Sequence, residues 1–435
     1  MRPTGSLMHL RQKLDHEMAA GPCRQRRPPA QRQSRERNGE NMRQNRIRFR
    51  NLWLAVLIVV ALSGCGKEQP AILGYQQIFS STSVSDTGIL TNYPEPLQFV
   101  DFESKESVVL CSEPDCDHQW HSDEDYCPAF ELREYPFLYK KELYFFRCDS
   151  HWDADGKIVD TCNLIKSDVS GTNEKTICSV SGSSIGSYAI YLERDILYFP
   201  VLEKGLEPNG ASNDEHKFSL YAFDLTDQDL TFYGELVEGD NASLFIYGVT
   251  EGQIFYDTYQ VKGEWEPGMT AEEYEALFEK NSCVLDLRTK EVRPNDLPGP
   301  ALVHDGYYYY NRDNALYSRC LADGKETMIA ERMFQTEGGL SCSYADGKLF
   351  IKECPDAGSH IDAYFRYYDL KSGKLTDMGE NNKVCATVLA AYKDEYFLNL
   401  SDHKQEDSTM KLAYIKKSEY LKGEFDRYIL LSQAE

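Results

Sequence analysis

The sequence predicts an all-β fold, a β-propeller of seven four-stranded blades, with six blades as the alternative count. Three observations support this prediction. A short apolar stretch that usually ends in Asp and runs into a polar turn recurs seven times. A second type of hairpin, in which apolar and aromatic residues alternate, lies between these copies. The chain also carries 29 Tyr and 20 Phe, residues that strands favour.

The recurring apolar stretch predicts a strand that ends at a tight turn and returns as a second strand. Its last position, spaced 34 to 67 residues from one copy to the next, is occupied by Asp101, Asp168, Asp224, Asp286, Cys320, Asp369 and Lys416. Because Cys and Lys replace Asp in two copies, we expect the residue at this position to stabilise the turn and not to bind a ligand.

The second hairpin occurs six times, for example at 137–146, 188–199 and 301–310. Two hairpins make one four-stranded antiparallel sheet, and the spacing fits propeller blades with loop insertions. One insertion, at Thr270 to Glu273, has the form of a capping box and predicts a helix through Lys280. A β-sandwich and a stacked β-solenoid are the alternative folds.

Closure of the ring is the open point of this prediction, because the copy at Leu97 has no second-type hairpin before it. Strands from the 70–90 stretch or the C-terminal strand at 427–431 could complete its blade. Joining both chain ends in one blade would hide sheet edges. If neither segment serves, six blades is the better count.

The charge is strongly acidic, with a net value of −23. It is also uneven: residues 1–64 hold 13 Lys and Arg against 4 Asp and Glu, whereas the remainder holds 34 against 66. Such an acidic body repels phosphate backbones, so nucleic acid is not expected as a partner.

An export signal lies between these two regions. Basic residues run into eleven apolar residues at 52–62, which span about 16 Å as a helix and are too few to cross a bilayer. The motif that follows, Leu62-Ser63-Gly64-Cys65, resembles the bacterial lipobox. That resemblance implies that Cys65 carries a diacylglyceryl group after cleavage before it, which anchors the protein to the cell membrane on the extracytoplasmic side. A buried Cys after an apolar helix is the alternative.

These signals divide the chain as follows. Residues 1–41 are expected to be a disordered leader or a mis-assigned start, since Met42 begins a conventional signal. We expect 42–64 to be a lipoprotein signal peptide, 65–88 a tether, and 89–432 the propeller, with a Cys/His-rich segment at 111–130 after the first hairpin.

The Cys/His-rich segment is too polar to be a core strand. Thiolate and imidazole are the ligands that zinc prefers, and four of them close a structural site. Cys111, Cys116, His118 and Cys127 are the candidate ligands, with His121 as a substitute. A disulfide, Cys111–Cys116 or Cys116–Cys127, is the alternative in an exported protein. The third possibility is that the segment contains neither a metal ion nor a disulfide.

The repeat and the pattern Cys-x-x-Pro-x-Cys-x-His that begins at Cys111 resemble β-propeller lipoproteins of anaerobic Gram-positive bacteria. The resemblance covers about 90–430 and implies the fold, not an activity.

The cysteines spaced along apolar strands are expected to be small buried hydrophobic residues. They are Cys148, Cys162, Cys178, Cys283 and Cys385.

The sequence contains no phosphate-binding Gly loop, no Gly-x-Ser-x-Gly and no His-Glu-x-x-His. We therefore expect a lipid-anchored binding or scaffold protein whose loop face or central channel holds a glycan, a peptide or an envelope protein. An extracellular enzyme that processes polysaccharide or peptide on the propeller scaffold is the first alternative. Metal handling through the Cys/His-rich segment is the second.

Overall fold

The structure is a computed structural model of the 435-residue chain. It describes residues 75–92, 96–111, 113, 115–122, 125–130, 133–152, 158–206, 212–263, 269–270, 273, 276–333, 340–355, 363–381, 385–401 and 410–431. The leader, the signal peptide and Cys65 lie outside these residues. Within them, no helix is both long enough and apolar enough to cross a bilayer.

The N-terminal half of the described chain forms four blades. Strand β1 (Tyr75–Phe79) precedes blade 1, which contains β2 (Thr82–Val84), β3 (Gly88–Thr91), β4 (Gln98–Asp101) and β5 (Ser107–Val109). A separate hairpin of β6 (Trp120–Ser122) and β7 (Asp125–Tyr126) follows. Blade 2 contains β8 (Glu134–Tyr139), β9 (Glu142–Trp152), β10 (Ile158–Ser167) and β11 (Lys175–Ser181). Blade 3 contains β13 (Ala189–Glu193), β14 (Ile196–Leu206), β15 (Ser212–Asp224) and β16 (Leu230–Asp240), and a two-residue strand before them, β12 (Ser184–Ile185), also pairs with β14. Blade 4 contains β17 (Ser243–Thr250), β18 (Gln253–Val261), β19 (Phe278–Asp286) and β20 (Val292–Pro294).

The C-terminal half forms three more blades of the same antiparallel design. Blade 5 contains β21 (Pro300–His304), β22 (Tyr307–Arg312), β23 (Ala315–Cys320) and β24 (Glu326–Glu331). Blade 6 contains β25 (Leu340–Ala345), β26 (Lys348–Glu353), β27 (Ala363–Asp369) and β28 (Lys374–Asn381). Blade 7 contains β29 (Cys385–Tyr392), β30 (Glu395–Ser401), β31 (Met410–Lys416) and β32 (Ile429–Leu430). A four-residue helix α1 (Lys417–Tyr420) and two 3-10 turns, Pro128–Phe130 and Phe425–Arg427, complete the described elements.

The blades form a closed ring of seven, as the sequence predicts. The first strands of blades 1 and 2 contact each other, as do those of successive blades from 3 to 7, and these strands line the axis. The core lies between blades, in seven hydrophobic clusters that each join two neighbours. In β9, for example, Leu143 and Phe145 pack towards blade 1, whereas Tyr144 and Phe146 pack towards blade 3. A strand that buries both faces needs an apolar run, which explains the aromatic-rich hairpins.

The ring closes between blade 7 and blade 1. Phe102 of blade 1 packs on Phe397 of blade 7 with ring centroids 4.3 Å apart. Lys105 pairs with Glu395, and Glu103 pairs with Lys393 across the same interface. Strands from the 70–90 stretch complete the blade of Leu97, whereas the C-terminal strand belongs to blade 7. No blade of the described structure therefore combines the two chain ends.

The ring has two unlike faces, because antiparallel strands alternate in direction. The turns after the first and third strands of each blade lie on one side, here called the turn face. The connections after the second and fourth strands lie on the other, here called the loop face. Turns of neighbouring blades contact one another, as in the pairs Lys140–Asp195 at 3.5 Å and Lys417–Asp346 at 3.0 Å. The Cys/His-rich segment and the long β9–β10 and β14–β15 hairpins belong to the loop face.

The recurring Asp position is a turn position, as the sequence predicts. The Oδ1 atom of Asp224 accepts hydrogen bonds from the amides of Thr226 and Asp227 at 2.7 and 2.9 Å. Equivalent side-chain bonds close the turns that begin at Asp101, Asp286 and Asp369. The carboxylate thus satisfies turn amides that would otherwise lack partners.

Strand β1 changes the expected domain boundary. Its residues and those of β2 lie within 65–88, which the sequence assigned to a tether, so within the described residues the propeller begins at Tyr75 and not at 89. The strand pairs with β13, the first strand of blade 3, on the side that faces the axis. It also contacts the first strands of blades 1, 2 and 4 and therefore occupies that side of the central channel. Among the side chains described at 76–79 of this strand, Ile78 is the one that is fully buried, which explains the weak apolar pattern.

Two local expectations need correction. Cys148 and Cys162 are not separate hydrophobic residues: they face each other across β9 and β10 and form a disulfide. The capping box is present, since Thr270 Oγ1 and its amide donate to Glu273 and the Glu273 amide donates back. The helix does not continue to Lys280, because Phe278–Asp286 forms β19, whose pairing with β18 provides more contacts than a short exposed helix.

Candidate metal centre

The four predicted ligands come together in the segment between β5 and β8. One ligand atom from each of Cys111, Cys116, His118 and Cys127 lies within 4.8 Å of all the others. Cys127 is buried and the other three are partly buried. The atoms therefore form a compact group that could hold a metal ion.

Short local structures bring these residues together. Cys111 follows blade 1 directly, and the β6–β7 hairpin returns the chain to Cys127, whose amide donates to the Gln119 carbonyl at 3.2 Å. A 3-10 turn at Pro128–Phe130 then fixes the segment to blade 1, since the Leu97 amide donates to the Ala129 carbonyl at 2.9 Å.

His118 occupies a left-handed backbone conformation, with φ of 59°. This conformation costs a non-glycine residue about 1–2 kcal/mol and persists where surrounding contacts require it. It places the ring beside Cys127, with His118 Nδ1 and Cys127 Sγ 3.6 Å apart. The strained turn is thus part of the ligand geometry.

Backbone amides surround the three sulfurs. The amide two residues after each Cys donates to its Sγ: Glu113 to Cys111, His118 to Cys116 and Ala129 to Cys127, each at 3.4 Å. Such bonds stabilise a thiolate relative to a thiol and orient the sulfur lone pairs.

Without a cation, the electrostatics of the group oppose ionisation. Burial raises the pKa of the Cys111 thiol. Burial also raises the pKa of the Cys127 thiol to about 12, and the adjacent Cys116 and Cys111 sulfurs act in the same direction. Three thiolates so close together would repel one another, so a divalent cation is what would allow them to coexist.

The donor set fits a closed tetrahedral site. Three sulfurs and one imidazole nitrogen are soft to borderline ligands, which zinc accepts and which magnesium and calcium do not prefer. The structure leaves Cys111, Cys116 and Cys127 unpaired with one another, although it pairs Cys148 with Cys162. The four residues could therefore hold a metal ion together. His121 lies on β6, but its side chain is not described, so its role as a substitute ligand stays a prediction.

Arg133, at the far end of the segment, is a positioning residue that the sequence did not indicate. It is 2% exposed, and its guanidinium donates to the Leu110 carbonyl at 3.5 Å and to Glu174 at 3.3 Å. Because Leu110 precedes Cys111, Arg133 joins the two ends of the insertion. A single Arg in a polar stretch carries no periodic signal.

Two buried polar clusters elsewhere also escaped prediction. Glu353 is fully buried and pairs with Arg366, and it accepts the Met333 amide at 2.9 Å. Asp257 is likewise buried and pairs with Lys280 at 2.6 Å. Each carboxylate is balanced by a cation within its own cluster, as expected for structural ion pairs.

Comparisons with known proteins return distant similarities to solved structures. No protein-family model matches the chain, and no curated protein does. The acylaminoacyl peptidase of Pyrococcus horikoshii aligns at 11% identity and a TM-score of 0.37, over 64% of this chain and 44% of that one. The oligogalacturonate lyase of Vibrio parahaemolyticus aligns at 11% and 0.36, over 68% and 84%. Dipeptidyl peptidase 4 of Porphyromonas gingivalis aligns at 12% and 0.37, over 84% and 60%. This chain thus spans less than half the length of the acylaminoacyl peptidase.

Proposed function

We propose that this protein is a lipid-anchored, extracytoplasmic binding or scaffold protein whose Cys/His-rich segment holds one structural zinc ion. The convergence of Cys111, Cys116, His118 and Cys127 within 4.8 Å carries the zinc assignment. Four protein ligands leave no position for a water molecule, so the metal would order the segment and would not activate a nucleophile.

Export and anchoring are supported by two independent features. The basic and apolar leader ends in the lipobox-like motif before Cys65. The body of the propeller contains the Cys148–Cys162 disulfide, which is a bond typical of oxidising compartments outside the cytoplasm. A reduced protein in the cytoplasm would gain no stability from that pair.

The structure supports the propeller scaffold of this proposal, whereas the binding role rests on the sequence, which contains none of the catalytic motifs sought in it. The buried carboxylates Glu353 and Asp257 are held in ion pairs, and strand β1 occupies one side of the channel. The loop face, with its long hairpins and the Cys/His-rich segment, is therefore the surface we assign to a glycan, peptide or envelope protein.

The test separates binding from catalysis. The acylated protein, extracted in detergent, is incubated with cell-wall fragments, soluble polysaccharides and peptide mixtures. Co-sedimentation or retention without new products supports a binding protein. New oligosaccharides or peptides detected by mass spectrometry would instead support the enzyme alternative. If the protein neither retains nor cleaves any of these materials, the proposed ligand classes are wrong.

A further inference from the structure

Glu134, the first residue of β8, is a partly buried carboxylate at the loop-face end of blade 2. Because β8 runs into the turn at Lys140 on the turn face, its first residue lies at the opposite end. Glu134 pairs with Phe146 on β9, and Phe146 packs towards blade 3. Paired residues on neighbouring strands point to the same side of a sheet, so the carboxylate faces the wedge between blades 2 and 3.

Two cations lie close to Glu134 along the strands, but on the other side of the blade. Arg133 and Arg147 stack on Phe145, with their guanidinium carbons 5.1 and 5.5 Å from the ring centroid. Phe145 packs towards blade 1, and both guanidiniums pair with Glu174. Among the described residues, none donates a hydrogen bond to the Glu134 carboxylate or forms an ion pair with it, and burial raises its pKa to about 7. Glu134 therefore differs from the buried carboxylates of the structural ion pairs.

The walls of this wedge are apolar. The Cys148–Cys162 disulfide and Ile185 of β12 pack in the hydrophobic cluster between blades 2 and 3. An ionised carboxylate is costly in such surroundings unless a cation accompanies it. The wedge thus holds an acidic group whose counter-charge the described residues do not supply.

Polar and aromatic groups meet at the mouth of the wedge. The Tyr135 amide donates to the Ser80 carbonyl at 3.0 Å, so the end of β1 lies beside this carboxylate. The Tyr135 hydroxyl donates to the Ser187 carbonyl, which brings the segment before β13 to the same place. Ser187 Oγ is buried, and no described group bonds to it. Tyr188 is 58% exposed, and its ring lies edge-on to that of Phe79 with the centroids 5.3 Å apart.

A primary ammonium group on an alkyl stem matches these groups. It supplies a positive charge, its three N–H donors suit a carboxylate and a hydroxyl, and the faces of aromatic rings attract it. A lysine side chain also carries a four-carbon stem that packs along apolar walls. An amino group bonded directly to a sugar ring lacks that stem. The net charge of the chain, −23, attracts cationic ligands in general.

We propose that the wedge between blades 2 and 3 binds a lysine side chain of a polypeptide ligand at the loop face, with Glu134 as the group that receives the ammonium. Tyr188 and Phe79 lie at the mouth through which the side chain enters. This inference rests on the binding role proposed for the loop face and assigns one class of ligand to it.

Calorimetric titration with a small probe tests the affinity. The acylated full-length protein, in detergent, is titrated with a tripeptide that is blocked at both ends and carries one central lysine. We expect saturable binding that is at least about tenfold weaker for Glu134→Gln, and equally weakened by acetylation of the lysine nitrogen of the probe. Glu238→Gln is the matched control, because it removes the same charge from an exposed carboxylate on β16 and should leave the affinity unchanged.

Chemical coupling tests the location on the wild-type protein and so does not depend on the folding of a variant. A carbodiimide activates a carboxylate, and an amine in contact with it then forms an amide while the carbodiimide takes up the water as a urea. Tandem mass spectrometry should find the lysine of the probe joined to Glu134. An excess of the same tripeptide with a dimethylated lysine nitrogen, which keeps its charge but forms no stable amide, should suppress this product.

The outcomes separate this site from the binding role itself. Equal affinity in Glu134→Gln, coupling to other carboxylates in place of Glu134, or no binding up to about 10 mM would overturn the lysine site. Tighter binding of glucosamine than of the tripeptide would overturn the polypeptide assignment in favour of an amino sugar. Retention of cell-wall fragments or peptides by the same protein would leave the binding role intact in each case, whereas loss of all retention would overturn both.

Discussion

Replacement of Cys127 by Ser removes the most buried ligand of the candidate metal centre. Structural zinc sites of four ligands bind with about 10–16 kcal/mol, or about 3 kcal/mol for each ligand. Each 1.4 kcal/mol corresponds to a tenfold change, so Cys127→Ser should weaken zinc binding by about 100-fold. The neighbouring thiols, 4.8 Å away or closer, would also lose the cation that balances their charge.

Competition with a chromophoric chelator measures this change, and elemental analysis gives the metal content, which should be about one zinc per wild-type chain. Cys320→Ser is the matched control, because Cys320 is a free, partly buried cysteine at a turn outside the cluster. His118→Ala should likewise weaken binding more than His121→Ala.

Two results would refute this reasoning. One is a metal-free wild-type protein that is fully folded. The other is an unchanged zinc affinity in Cys127→Ser. The disulfide alternative predicts a mass deficit of about two daltons per bridge, in addition to that of Cys148–Cys162, and sensitivity to reductant in place of chelator. Intact-mass measurement together with elemental analysis therefore decides between bound zinc and a disulfide.

Four further predictions concern local order, ring closure, the lipid anchor and the start of translation. Removal of zinc by a chelator should speed hydrogen exchange in 111–130 while leaving the melting of the blades almost unchanged, and a general loss of protection would contradict a local role. Phe397→Ala, at the interface of blades 7 and 1, should lower the free energy of unfolding by about 3–5 kcal/mol in denaturant titration, whereas Phe232→Ala, which is exposed, should cost less than about 1 kcal/mol. Cys65→Ser should abolish labelling by a fatty-acid probe, and equal labelling of the variant would disprove the anchor. Translation from Met42 should yield the same mature mass and location as the full-length chain, and loss of export would disprove the mis-assigned start.

The repeat, the blade count and the candidate ligands could all be predicted from the sequence, because each depends on local pattern. A strand between two other blades must be apolar on both faces, and this produces the aromatic runs around Leu143–Phe146 and Tyr307–Tyr310. The turn carboxylates at Asp101 and Asp224 bond only to amides two or three residues away. The ligands of the metal centre lie within 17 residues, so little long-range folding is needed to join them.

Only the tertiary structure decided which residues meet across distant parts of the chain. The Cys148–Cys162 bond depends on the register of β9 against β10, since a shift of one residue would turn the two side chains to opposite faces. The position of β1 depends on an edge of blade 3 more than 100 residues later. Among its side chains at 76–79, the fully buried one is Ile78, which is too weak a pattern to reveal the strand. Closure through Phe102 and Phe397 is likewise a contact between the ends of the propeller. Local periodicity determined which residues form strands. The pairing of those strands across the ring determined the channel, the disulfide and the two faces.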